Sequence, residues 1–573
     1  MIRNVEYNGP SMPLSKEIDE MKYCQKDENF DGKVKRLALS MSDDEAHRLE
    51  LEEIFGNMRF LAAGRVQNAM GSRRITTAYN CFVSGEVKDS MDSIMGMAAE
   101  AAETMRRGGG IGYDFSKIRP RGDLIKSLDS QASGPVSFMG IFDAVCQTIA
   151  SSGHRRGAQM GVLRVDHPDI EEFIKAKRNS DRLTGFNVSV GITDKFMECV
   201  KYNKPFKLVF EGIVHKEIDA GKLWDEIMES TWDWAEPGVL FIDRINEMNN
   251  LHYIEEISAT NPCGEQPLPY YGACLLGSFN LTKYLIANEA LVYSFDYAQF
   301  KSDIPHVVRA MDNVIDRTIY PLKAQSDEAK NKRRMGLGIT GLANAGEMLG
   351  HTYASEGFLK WAEGIFKILR NGTYAASVGL AEEKGAFPLY RPEYLKSNFI
   401  RQLPYQIRRR MKQYGIRNSH LTSIAPTGTI SLVADNVSGG IEPTFSHYYD
   451  RTIQTFEGPK VERVEDYAYS HGIHPITANE ISVNNHLSVL LLAQNYVDSA
   501  VSKTCNVGDE VSFEEFKKVY MDAWEGGAKG CTTFRASGQR FGILNEVKED
   551  EVESEEKVEA CFIDPESGQK ECS

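Results

Sequence analysis

No stretch of the 573-residue sequence approaches the roughly 18 consecutive apolar residues that a membrane-spanning helix needs. The first residues, from Met1 to Glu6, also lack the apolar segment of a signal peptide, so we expect a cytoplasmic protein without a membrane partner. Positive charge is in deficit, because 66 lysines and arginines stand against 81 aspartates and glutamates, which leaves a net charge of −15. This balance argues against a nucleic-acid partner, although it is compatible with a local cationic pocket for a small anion.

A sequence repeat with a period of about 20–50 residues is also missing. The composition, 42% hydrophobic and 26% charged, is that of a globular protein, and the length exceeds what one ordinary core accommodates. Short apolar runs at 186–190 and 206–210 alternate with amphipathic segments such as 304–314. This alternation predicts an α/β fold with substantial parallel strand pairing.

The sequence divides into three parts. Over residues 1–79 the apolar residues recur at helical spacing, most clearly after Asp43-Asp44-Glu45, which indicates a mainly helical region. Residues 80–545 carry the α/β pattern. Over residues 546–573 acidic residues crowd out apolar ones, and such a segment cannot offset the entropy of ordering, so we expect a flexible tail.

Two cysteines, Cys561 and Cys572, stand near the end of this tail. A flexible tether of this length has a reach of about 20 Å, from roughly 5–6 Å × √n. Thiols on such a tether can reach more than one site on the protein surface. The alternative interpretation is a solvated tail with incidental cysteines.

Two glycine clusters invite a nucleotide-binding interpretation. Residues 336–341 match Gly-x-Gly-x-x-Gly, but the charged segment before them, 328–334, is not the hydrophobic strand that a dinucleotide fingerprint follows. Close glycine packing is therefore the preferred interpretation there. The second cluster, at 108–112, lacks that spacing, although its glycines would let a ligand approach the backbone closely.

The segment 425–431, Ala-Pro-Thr-Gly-Thr-Ile-Ser, is a better candidate for anion binding. A glycine turn with three hydroxyl groups leads into an apolar run, and successive backbone N–H groups there can bind a phosphate without a net positive charge. An ordinary helix cap with a tight turn is the alternative.

The loop 261–268 is the most informative segment. Proline and glycine flank Cys263, so this cysteine should lie on a loop, with Asn261 two residues before it and Glu265 two residues after. A zinc site is not expected, because Cys263 and Cys274 lack the spacing of zinc ligands. A cysteine protease would need a base and an oxyanion site, and nothing in the sequence identifies either.

These motifs together resemble the catalytic chain of the ribonucleotide reductases. The resemblance rests on Asn80-Cys81-Phe82-Val83, on Asn261-Pro262-Cys263-Gly264-Glu265 with Cys274 eleven positions after Cys263 (274 − 263 = 11), and on segment 425–431, all in the family's order. It covers about residues 61–544 and implies a ten-stranded α/β barrel. In that barrel two parallel five-stranded halves run antiparallel to each other, and the radical cysteine lies on a finger loop inside.

The classes of this family differ in how the radical is made. Two features resemble class II, which uses adenosylcobalamin. One is the loop Asn-Pro-Cys-Gly-Glu at 261–265. The other is Thr-Phe at 533–534, where class I chains carry a tyrosine pair. The intact Glu265 disfavours the anaerobic glycyl-radical class. A class I catalytic subunit that needs a metal-containing partner is the closest alternative.

The resemblance implies a role for each site residue. Cobalt–carbon homolysis generates a radical at Cys263, which abstracts the 3′ hydrogen of the substrate, and Glu265 takes the 3′-hydroxyl proton as a general base. Asn261 holds the substrate hydroxyls. Cys81 and Cys274 supply two electrons and two protons and end as a disulfide.

Further contacts follow from the same resemblance. The tail thiols Cys561 and Cys572 would reduce the disulfide by exchange, served by a thioredoxin- or glutaredoxin-like protein. Their separation of eleven residues (572 − 561) is wider than is usual in the family. No protein-bound metal is expected, and a ribonucleoside diphosphate is expected in preference to a triphosphate. The implied substrate contacts are Asn80, Gly110, Pro426, Thr427, Gly428, Thr429, Ile430 and Ser431.

A deoxynucleotide effector is implied at a homodimer interface of packed helices. Segments 153–160 and 179–187 resemble the loops that relay it. An ordinary solvated helix start at Asp89 is the alternative. The positions that resemble effector contacts are Asp89, Ser90, Met91 and Lys117.

Two other kinds of protein fit the sequence less well. A flavin- or nicotinamide-dependent oxidoreductase would need a dinucleotide fingerprint in its proper context, and a nucleotide sensor would leave three placed cysteines and Glu265 unexplained. The five remaining cysteines are expected to be small buried hydrophobic residues. They are Cys24, Cys146, Cys199, Cys505 and Cys531.

Overall fold

The computed structural model describes residues 7–150, 158–178, 182–290, 292–455, 458–508, 510–535, 544–546, 561–563 and 570–572. Helices and strands alternate along most of this chain, which confirms the predicted mixed α/β class. Across these described segments, no helix combines the length and the apolar character needed to cross a membrane.

The N-terminal region consists of four helices and one short strand. Its third helix begins where the acidic run predicted a start, because the Asp44 side chain accepts a hydrogen bond from the His47 backbone N–H. The elements are α1 (Pro13–Lys22), α2 (Phe30–Met41), α3 (Glu45–Gly56), β1 (Phe60–Ala62) and α4 (Gly64–Ala69).

The next part of the chain builds one parallel group of strands. Its elements are β2 (Cys81–Val83), α5 (Met91–Arg106), β3 (Gly110–Asp114), β4 (Leu124–Ile125), β5 (Ser130–Gln131), α6 (Pro135–Ala150), β6 (Gln159–Arg164), α7 (Ile170–Lys175), β7 (Phe186–Ile192), α8 (Asp194–Lys201), β8 (Pro205–Phe210), β9 (Ile213–Asp219), α9 (Ala220–Trp234), β10 (Gly238–Phe241) and α10 (Ile242–Glu247). Strands β2, β3, β6, β7 and β10 pair in that order, and every pairing is parallel. The strands at 186–192 and 205–210 include both apolar runs that the sequence singled out.

A second group of strands follows. Its elements are β11 (Ala259–Thr260), β12 (Pro267–Leu268), β13 (Ala273–Cys274), β14 (Leu276–Asn280), β15 (Leu285–Ala287), β16 (Tyr293–Phe295), α11 (Tyr297–Arg317), α12 (Lys323–Lys332), β17 (Gly336–Thr340), α13 (Leu342–Met348), α14 (Glu356–Lys384), α15 (Asn398–Arg401), α16 (Tyr405–Tyr414) and α17 (Gly428–Val433), with 3-10 helices at Leu281–Tyr284 and Pro392–Lys396. Strands β14 and β17 are parallel, and single parallel bridges join Leu337 to Thr422 and Ile424 to Val501.

The remaining elements complete the sheets. They are β18 (Tyr448–Thr455), β19 (Gly458–Glu465), α18 (Tyr467–Ser470), α19 (Val483–Gln494), β20 (Thr504–Val507), α20 (Phe513–Glu525), β21 (Gly530–Arg535), β22 (Leu544–Glu546), β23 (Cys561–Ile563) and β24 (Lys570–Cys572). Strand β21 is parallel to β20 and antiparallel to β10, so it joins β20 to the first group of parallel strands.

Among the described residues, the ladders of hydrogen bonds belong to several separate sheets. The largest is an eight-stranded sheet, ordered β13-β2-β3-β6-β7-β10-β21-β20. Two sheets have three strands each, ordered β1-β14-β17 and β19-β18-β22, and the other described strands form two-stranded ladders. The single parallel bridges near Thr422 and Ile424 lie outside these ladders, because regular pairing there is too brief to make a strand.

The N-terminal region packs against α17, the helix that begins inside segment 425–431. The Ser15 hydroxyl donates to the Leu432 carbonyl at 2.7 Å, and the Ser11 and Met12 backbone N–H groups donate to Asp435 Oδ1 at 2.7 and 2.9 Å. The start of the chain, including α1, therefore packs against segment 425–431, for which the sequence predicts anion binding.

Candidate active site

The loop that carries Cys263 is the tip of a β-hairpin. Strands β11 and β12 pair in antiparallel fashion, Ala259 with Leu268 and Thr260 with Pro267, so residues 261–266 form the turn. The predicted finger loop is thus present as a local structure. Gly264 adopts a φ of 81°, a conformation that favours glycine, and it closes the turn directly after the cysteine.

The hairpin lies against the glycines of β3. A Cβ atom on Gly112 would overlap the Thr260 carbonyl, and one on Gly110 would lie 3.2 Å from Pro262 Cγ and 3.6 Å from Cys81 Sγ. The Asn187 side-chain amide, at the start of β7, donates to the Pro262 carbonyl at 3.0 Å. The glycine cluster therefore lets the hairpin approach the sheet, next to one of the cysteines that the resemblance selected.

Cys263 itself is exposed to solvent, whereas we expected the radical cysteine in the interior. Its neighbours Pro262 and Glu265 are buried, as is Asn261. The difference has a local cause, because Thr260 and Pro262 occupy the face that packs on β3, and the chain turns at Gly264. The thiol is consequently accessible from the open side of a site whose other loop residues are packed.

Glu265 is a buried carboxylate with unused hydrogen-bonding capacity. Its side chain is 1% exposed, and burial raises its pKa from 4.5 to about 7, a rise that the nearby Asn261 amide opposes only in part. Among the described residues, neither Glu265 Oε2 nor Asn261 Nδ2 has a hydrogen-bond partner. Buried polar atoms are rarely left without partners, so these two mark a place where a polar ligand would be held.

Cys81 and Cys274 lie opposite each other on paired strands. Strand β13 is antiparallel to β2, and the register places Cys274 against Cys81. Opposed residues in such a pair have Cα atoms about 4.5–5.5 Å apart, within the range of about 4.4–6.8 Å that a disulfide needs. Both are thiols here, and burial, with contributions from Glu265, Cys81 and Cys263, raises the pKa of Cys274 well above its ordinary value.

Asn80 joins this group from the residue before β2. Its backbone carbonyl accepts a hydrogen bond from Gly110 N at 2.9 Å, and its backbone N–H donates to the Cys274 carbonyl at 3.3 Å. The side-chain Oδ1 of Asn80 is buried and has no partner among the described residues. The structure therefore brings Asn80, Cys81, Gly110 and Cys274 together with the hairpin tip.

Segment 425–431 forms a sharp turn into α17. Thr427 has a φ of 54°, and its hydroxyl is directed inward, accepting from the Gly440 N–H at 2.8 Å and lying 2.9 Å from the Thr340 hydroxyl. The first helical hydrogen bond runs from Ser431 N to Thr427 O, so the three N–H groups before Ser431 precede the intrahelical ladder. Pro426 and Gly428 are exposed.

The hydroxyl groups of this segment are therefore less available than the sequence indicated. Thr427 is engaged as described, and the Ser431 hydroxyl donates to the Gly428 carbonyl at 3.2 Å. The Ile430 side chain is buried in the cluster that α17 forms with the N-terminal region. The donors that these positions offer are therefore backbone N–H groups and the hydroxyl of the half-buried Thr429.

No sequence motif indicates a cation beside this turn. Arg451, on β18, donates from Nη2 to the Gly428 carbonyl at 3.0 Å. Arg451 lies 23 residues after Gly428 (451 − 428), in a strand without a recognised motif. Its place beside Gly428 therefore depends on how strands β18 and β19 pack against the turn. The structure thus adds a positive charge to the open edge of the segment.

The family model of the ribonucleotide reductase barrel domain matches residues 79–534 of this chain. The chain belongs to the ribonucleotide reductase family. The match includes Cys81, Cys263, Glu265 and Cys274 within one domain, and it confirms the family that their order indicated.

Curated relatives agree with this assignment. A vitamin B12-dependent ribonucleoside-diphosphate reductase from Mycobacterium tuberculosis (strain CDC 1551) is 35% identical over 496 residues, which cover 81% of this chain and 68% of the relative. A protein of the same name from Thermoplasma acidophilum is 33% identical and covers 83% and 64%, respectively. A vitamin B12-dependent ribonucleotide reductase from Streptomyces coelicolor is 27% identical and covers 93% and 64%. The chain spans about two thirds of the length of these ribonucleotide reductases.

Three of the positions that resemble effector contacts, Asp89, Ser90 and Met91, lie at the start of α5, and the fourth, Lys117, follows β3. Ser90 caps this helix by accepting from Ser93 N at 3.3 Å, and Ser90, Met91 and Lys117 are exposed. Asp89 is engaged by a residue that sequence reasoning missed, since Arg119 Nε donates to its carboxylate at 2.5 Å. Parts of the relay segments, 153–157 and 179–181, lie outside the described residues.

The described parts of the reductase tail form a short antiparallel ladder. Strands β23 and β24 pair with Cys561 opposite Cys572. The register therefore sets the two positions opposite each other although eleven residues separate them in the sequence, and opposed positions have Cα atoms within disulfide range.

The remaining glycines and cysteines behave largely as expected. Residues 336–340 form strand β17, where a Cβ on Gly338 would overlap the Ser423 carbonyl, so close packing explains this cluster. Four of the five other cysteines are buried, and Cys199 is half-buried.

Proposed function

We propose that this chain reduces ribonucleotides to 2′-deoxyribonucleotides by thiyl-radical chemistry, as a class II enzyme that depends on adenosylcobalamin. Membership of the family supports the reaction, and the names of its relatives support both the cofactor and a ribonucleoside diphosphate as substrate. The proposed radical thiol is that of Cys263.

One observation carries the site assignment. The buried carboxylate of Glu265 and the buried amide of Asn261, each with an atom that lacks a partner among the described residues, share a hairpin tip with Cys263. The same tip lies beside the opposed pair Cys81 and Cys274. This proximity supports one site in which Glu265 acts as the base, Asn261 binds the hydroxyl groups, Cys263 abstracts hydrogen, and Cys81 with Cys274 supplies two electrons.

Each group has a defined task in the proposed reaction. The Cys263 sulfur takes the 3′ hydrogen atom of the ribose and returns it at the end of the cycle. Glu265 accepts the 3′-hydroxyl proton while Asn261 holds the hydroxyl groups. A carboxylate whose pKa is about 7 is well suited to this role, because a general base acts best when its pKa lies near the working pH.

The thiols of Cys81 and Cys274 complete the balance of the reaction. The 2′-hydroxyl leaves as water, and the two thiols provide the two electrons and two protons that this loss requires, forming one disulfide. The raised pKa of Cys274 keeps it protonated, so that it can deliver a proton together with an electron.

The residues present fit a cofactor that acts at Cys263. When bound, adenosylcobalamin supplies the one-electron oxidation that removes the hydrogen atom from the Cys263 thiol. This thiol is exposed while its loop neighbours are buried, so it is the group that such a cofactor would face.

Substrate phosphates are assigned to segment 425–431. The N–H groups that precede Ser431 point to this role, and Arg451 adds a cation that offsets part of the negative charge of a diphosphate. Gly110, next to Cys81, is assigned to the nucleotide because it allows close backbone approach.

The ten-stranded barrel remains our proposal for the complete architecture. Strands β2, β3, β6, β7 and β10 provide one parallel half. The bridges at Thr422, Ile424 and Val501 connect β17 towards β20 and β21, which supports a second parallel half of opposite direction.

We assign a homodimer to helices α5 and α6. These two helices pack against each other, and Met91 and Met95 on α5 are 55% and 50% exposed, which leaves an apolar face for a second copy. A deoxynucleotide effector is assigned to Asp89, Ser90 and Met91 at the start of α5 and to Lys117, which follows β3. Met95→Lys should shift the chain towards monomer in analytical ultracentrifugation, and an unchanged dimer would contradict this interface.

The direct test of the function is a reconstituted assay. The purified chain is incubated with adenosylcobalamin, a ribonucleoside diphosphate and a dithiol, and deoxynucleotide is measured by chromatography. We expect product without any second protein. Cys263→Ser should abolish it, because an O–H bond is much stronger than the S–H bond it replaces, whereas Cys24→Ser should not.

The result also separates the two family classes. Product that forms only after a metal-containing partner protein is added would identify a class I subunit instead. Absence of product under both conditions would contradict the proposed function.

A further inference from the structure

Glu265 is held in place through its backbone carbonyl. Ala500 N donates to this carbonyl at 2.9 Å, and the Ser423 hydroxyl donates to it at 2.9 Å. Ser423 and Ala500 come from two adjacent segments, 421–424 and 498–501, joined by the bridge between Ile424 and Val501. The position of the proposed base therefore depends on these two segments.

Asp498 binds the two segments together. Its carboxylate accepts hydrogen bonds from Leu421 N at 2.7 Å and from Thr422 N at 3.1 Å, and Asp498 N donates to the Thr422 hydroxyl at 3.0 Å. The Tyr374 hydroxyl adds a bond of 2.6 Å. Since segment 421–424 runs directly into 425–431, Asp498 also sets where the phosphate-binding segment begins.

Lys529 secures this arrangement from the other side. Its ammonium group donates to the backbone carbonyls of Asp498 at 2.6 Å and of Ser499 at 2.7 Å. The Lys529 carbonyl accepts from Phe241 N at 3.0 Å, so this lysine is anchored where β10 meets β21.

Burying the ionisable groups of Lys529 and Asp498 is energetically unfavourable, which indicates a role for them beyond packing. Lys529 is 4% exposed and Asp498 is 2% exposed. Burial lowers the pKa of Lys529 to about 8, although Asp498 counteracts it, and Arg244 lowers it further. Buried charges are unfavourable unless they are paired and hydrogen-bonded, and an apolar pair would fill the same volume without specifying where two backbone segments lie.

We propose that Lys529 and Asp498 are positioning residues for the reduction, which fix the spacing between the Glu265 carboxylate and segment 425–431. A nucleotide held by its phosphates would then present its 3′-hydroxyl to Glu265. This inference rests on the proposed function and adds two residues that touch neither substrate nor cofactor.

The test compares the buried Lys529 with Lys332, a half-buried lysine whose side chain is 12% exposed. Lys529→Met removes the donor to segment 498–499, whereas Lys332→Met removes an ammonium group that pairs with Glu255 and Glu328, each at 2.8 Å. Nucleoside diphosphate binding is measured by calorimetry on the cobalamin-free chain, and turnover is measured after adenosylcobalamin is added.

We expect Lys529→Met to lower kcat by about 10- to 100-fold, the loss that a small misplacement of a catalytic group produces. Its affinity for the diphosphate should change by less than about threefold, because the phosphate contacts remain. Lys529→Arg should recover most of the lost turnover. Lys332→Met should keep the turnover of the unaltered chain.

Several results would overturn the inference. They are unchanged turnover in Lys529→Met, an equal loss in Lys332→Met, and no recovery in Lys529→Arg.

If Lys529→Met does not fold, Ser423→Ala decides, because it removes one bond to the Glu265 carbonyl without exposing a buried charge. Normal kcat in Ser423→Ala would then overturn the inference, and a lowered kcat with unchanged affinity would support it. Loss of all activity in the unaltered chain would instead contradict the proposed function.

Discussion

Cys81 and Cys274 are directly opposed across the antiparallel pair β2–β13, although 193 residues separate them in the sequence (274 − 81). Their register gives the two residues a Cα separation compatible with a disulfide, next to the hairpin tip that carries Cys263. Oxidation of this pair therefore requires no rearrangement of the sheet.

The first prediction concerns this pair. One turnover of the prereduced chain, without external dithiol, should join Cys81 to Cys274, because they are the nearest reductant to the substrate site. Peptide mapping under non-reducing conditions would detect the linkage. Cys274→Ser should form no product, while Cys146→Ser, at an equally buried thiol elsewhere, should form it normally. A disulfide between any other two cysteines would contradict the assignment.

The second prediction concerns the pH dependence of turnover. Because the pKa of Glu265 is about 7, the rate should rise as pH increases through 7 and the carboxyl group loses its proton. Glu265→Gln should lower turnover by about 10²–10⁴ and remove this rise, with nucleotide binding retained. A pH profile that is the same in both proteins would show that Glu265 only orders the loop.

The same carboxyl group should affect stability in the opposite direction. Its pKa is higher in the folded chain than its ordinary value of 4.5, so the folded state binds more protons than the unfolded state between pH 4.5 and about 7. The free energy of unfolding should therefore fall as pH rises from 4.5 to about 7, by on the order of 3 kcal/mol. Glu265→Gln should show a smaller fall when denaturant unfolding is measured at each pH.

The third prediction concerns the tail. Replacing both Cys561 and Cys572 by serine should leave a single turnover intact, yet it should abolish repeated turnover with a thioredoxin-like reductant, since thiol exchange would have no carrier. A small dithiol that reaches Cys81 and Cys274 directly should restore it. Cys199→Ser is the matched control. Normal cycling of the double variant with the protein reductant would leave the tail cysteines without a role.

The fourth prediction concerns Arg451. Arg451→Gln should raise KM for a ribonucleoside diphosphate by about tenfold or more, as expected for loss of a charged hydrogen bond, with little change in kcat. Arg463→Gln is the control, because Arg463 lies on the neighbouring strand and pairs with Asp450 at 3.1 Å. Equal KM values in both variants would remove Arg451 from the substrate site.

Sequence patterns were sufficient for the residues that lie in local motifs. Cys263, Glu265 and Asn261 share one loop, so a single motif identifies all three. The α/β class followed from alternating apolar runs and amphipathic helices, as at β7 and α11. Cys81 and Cys274 required the family resemblance, because no local pattern pairs residues so far apart.

Residues that act through long-range contacts were missed. Lys529 follows Glu265 by 264 residues (529 − 265), and it reaches the Glu265 loop only through segment 498–500. Arg451 reaches Gly428 because a hairpin folds back. The exposure of Cys263 depends on which face of the hairpin packs on β3. Each of these features is determined by tertiary packing, which periodicity and spacing do not encode.

The close contact between Gly112 and Thr260 has a consequence for protein engineering. Any side chain at Gly112 would collide with the hairpin backbone, and a Cβ at Gly110 would crowd Pro262. The hairpin 259–268 is therefore not a portable module. A design that transplants the Asn-Pro-Cys-Gly-Glu loop onto another scaffold must also transplant a Gly-x-Gly strand beneath it, or the cysteine and the carboxylate will be displaced together.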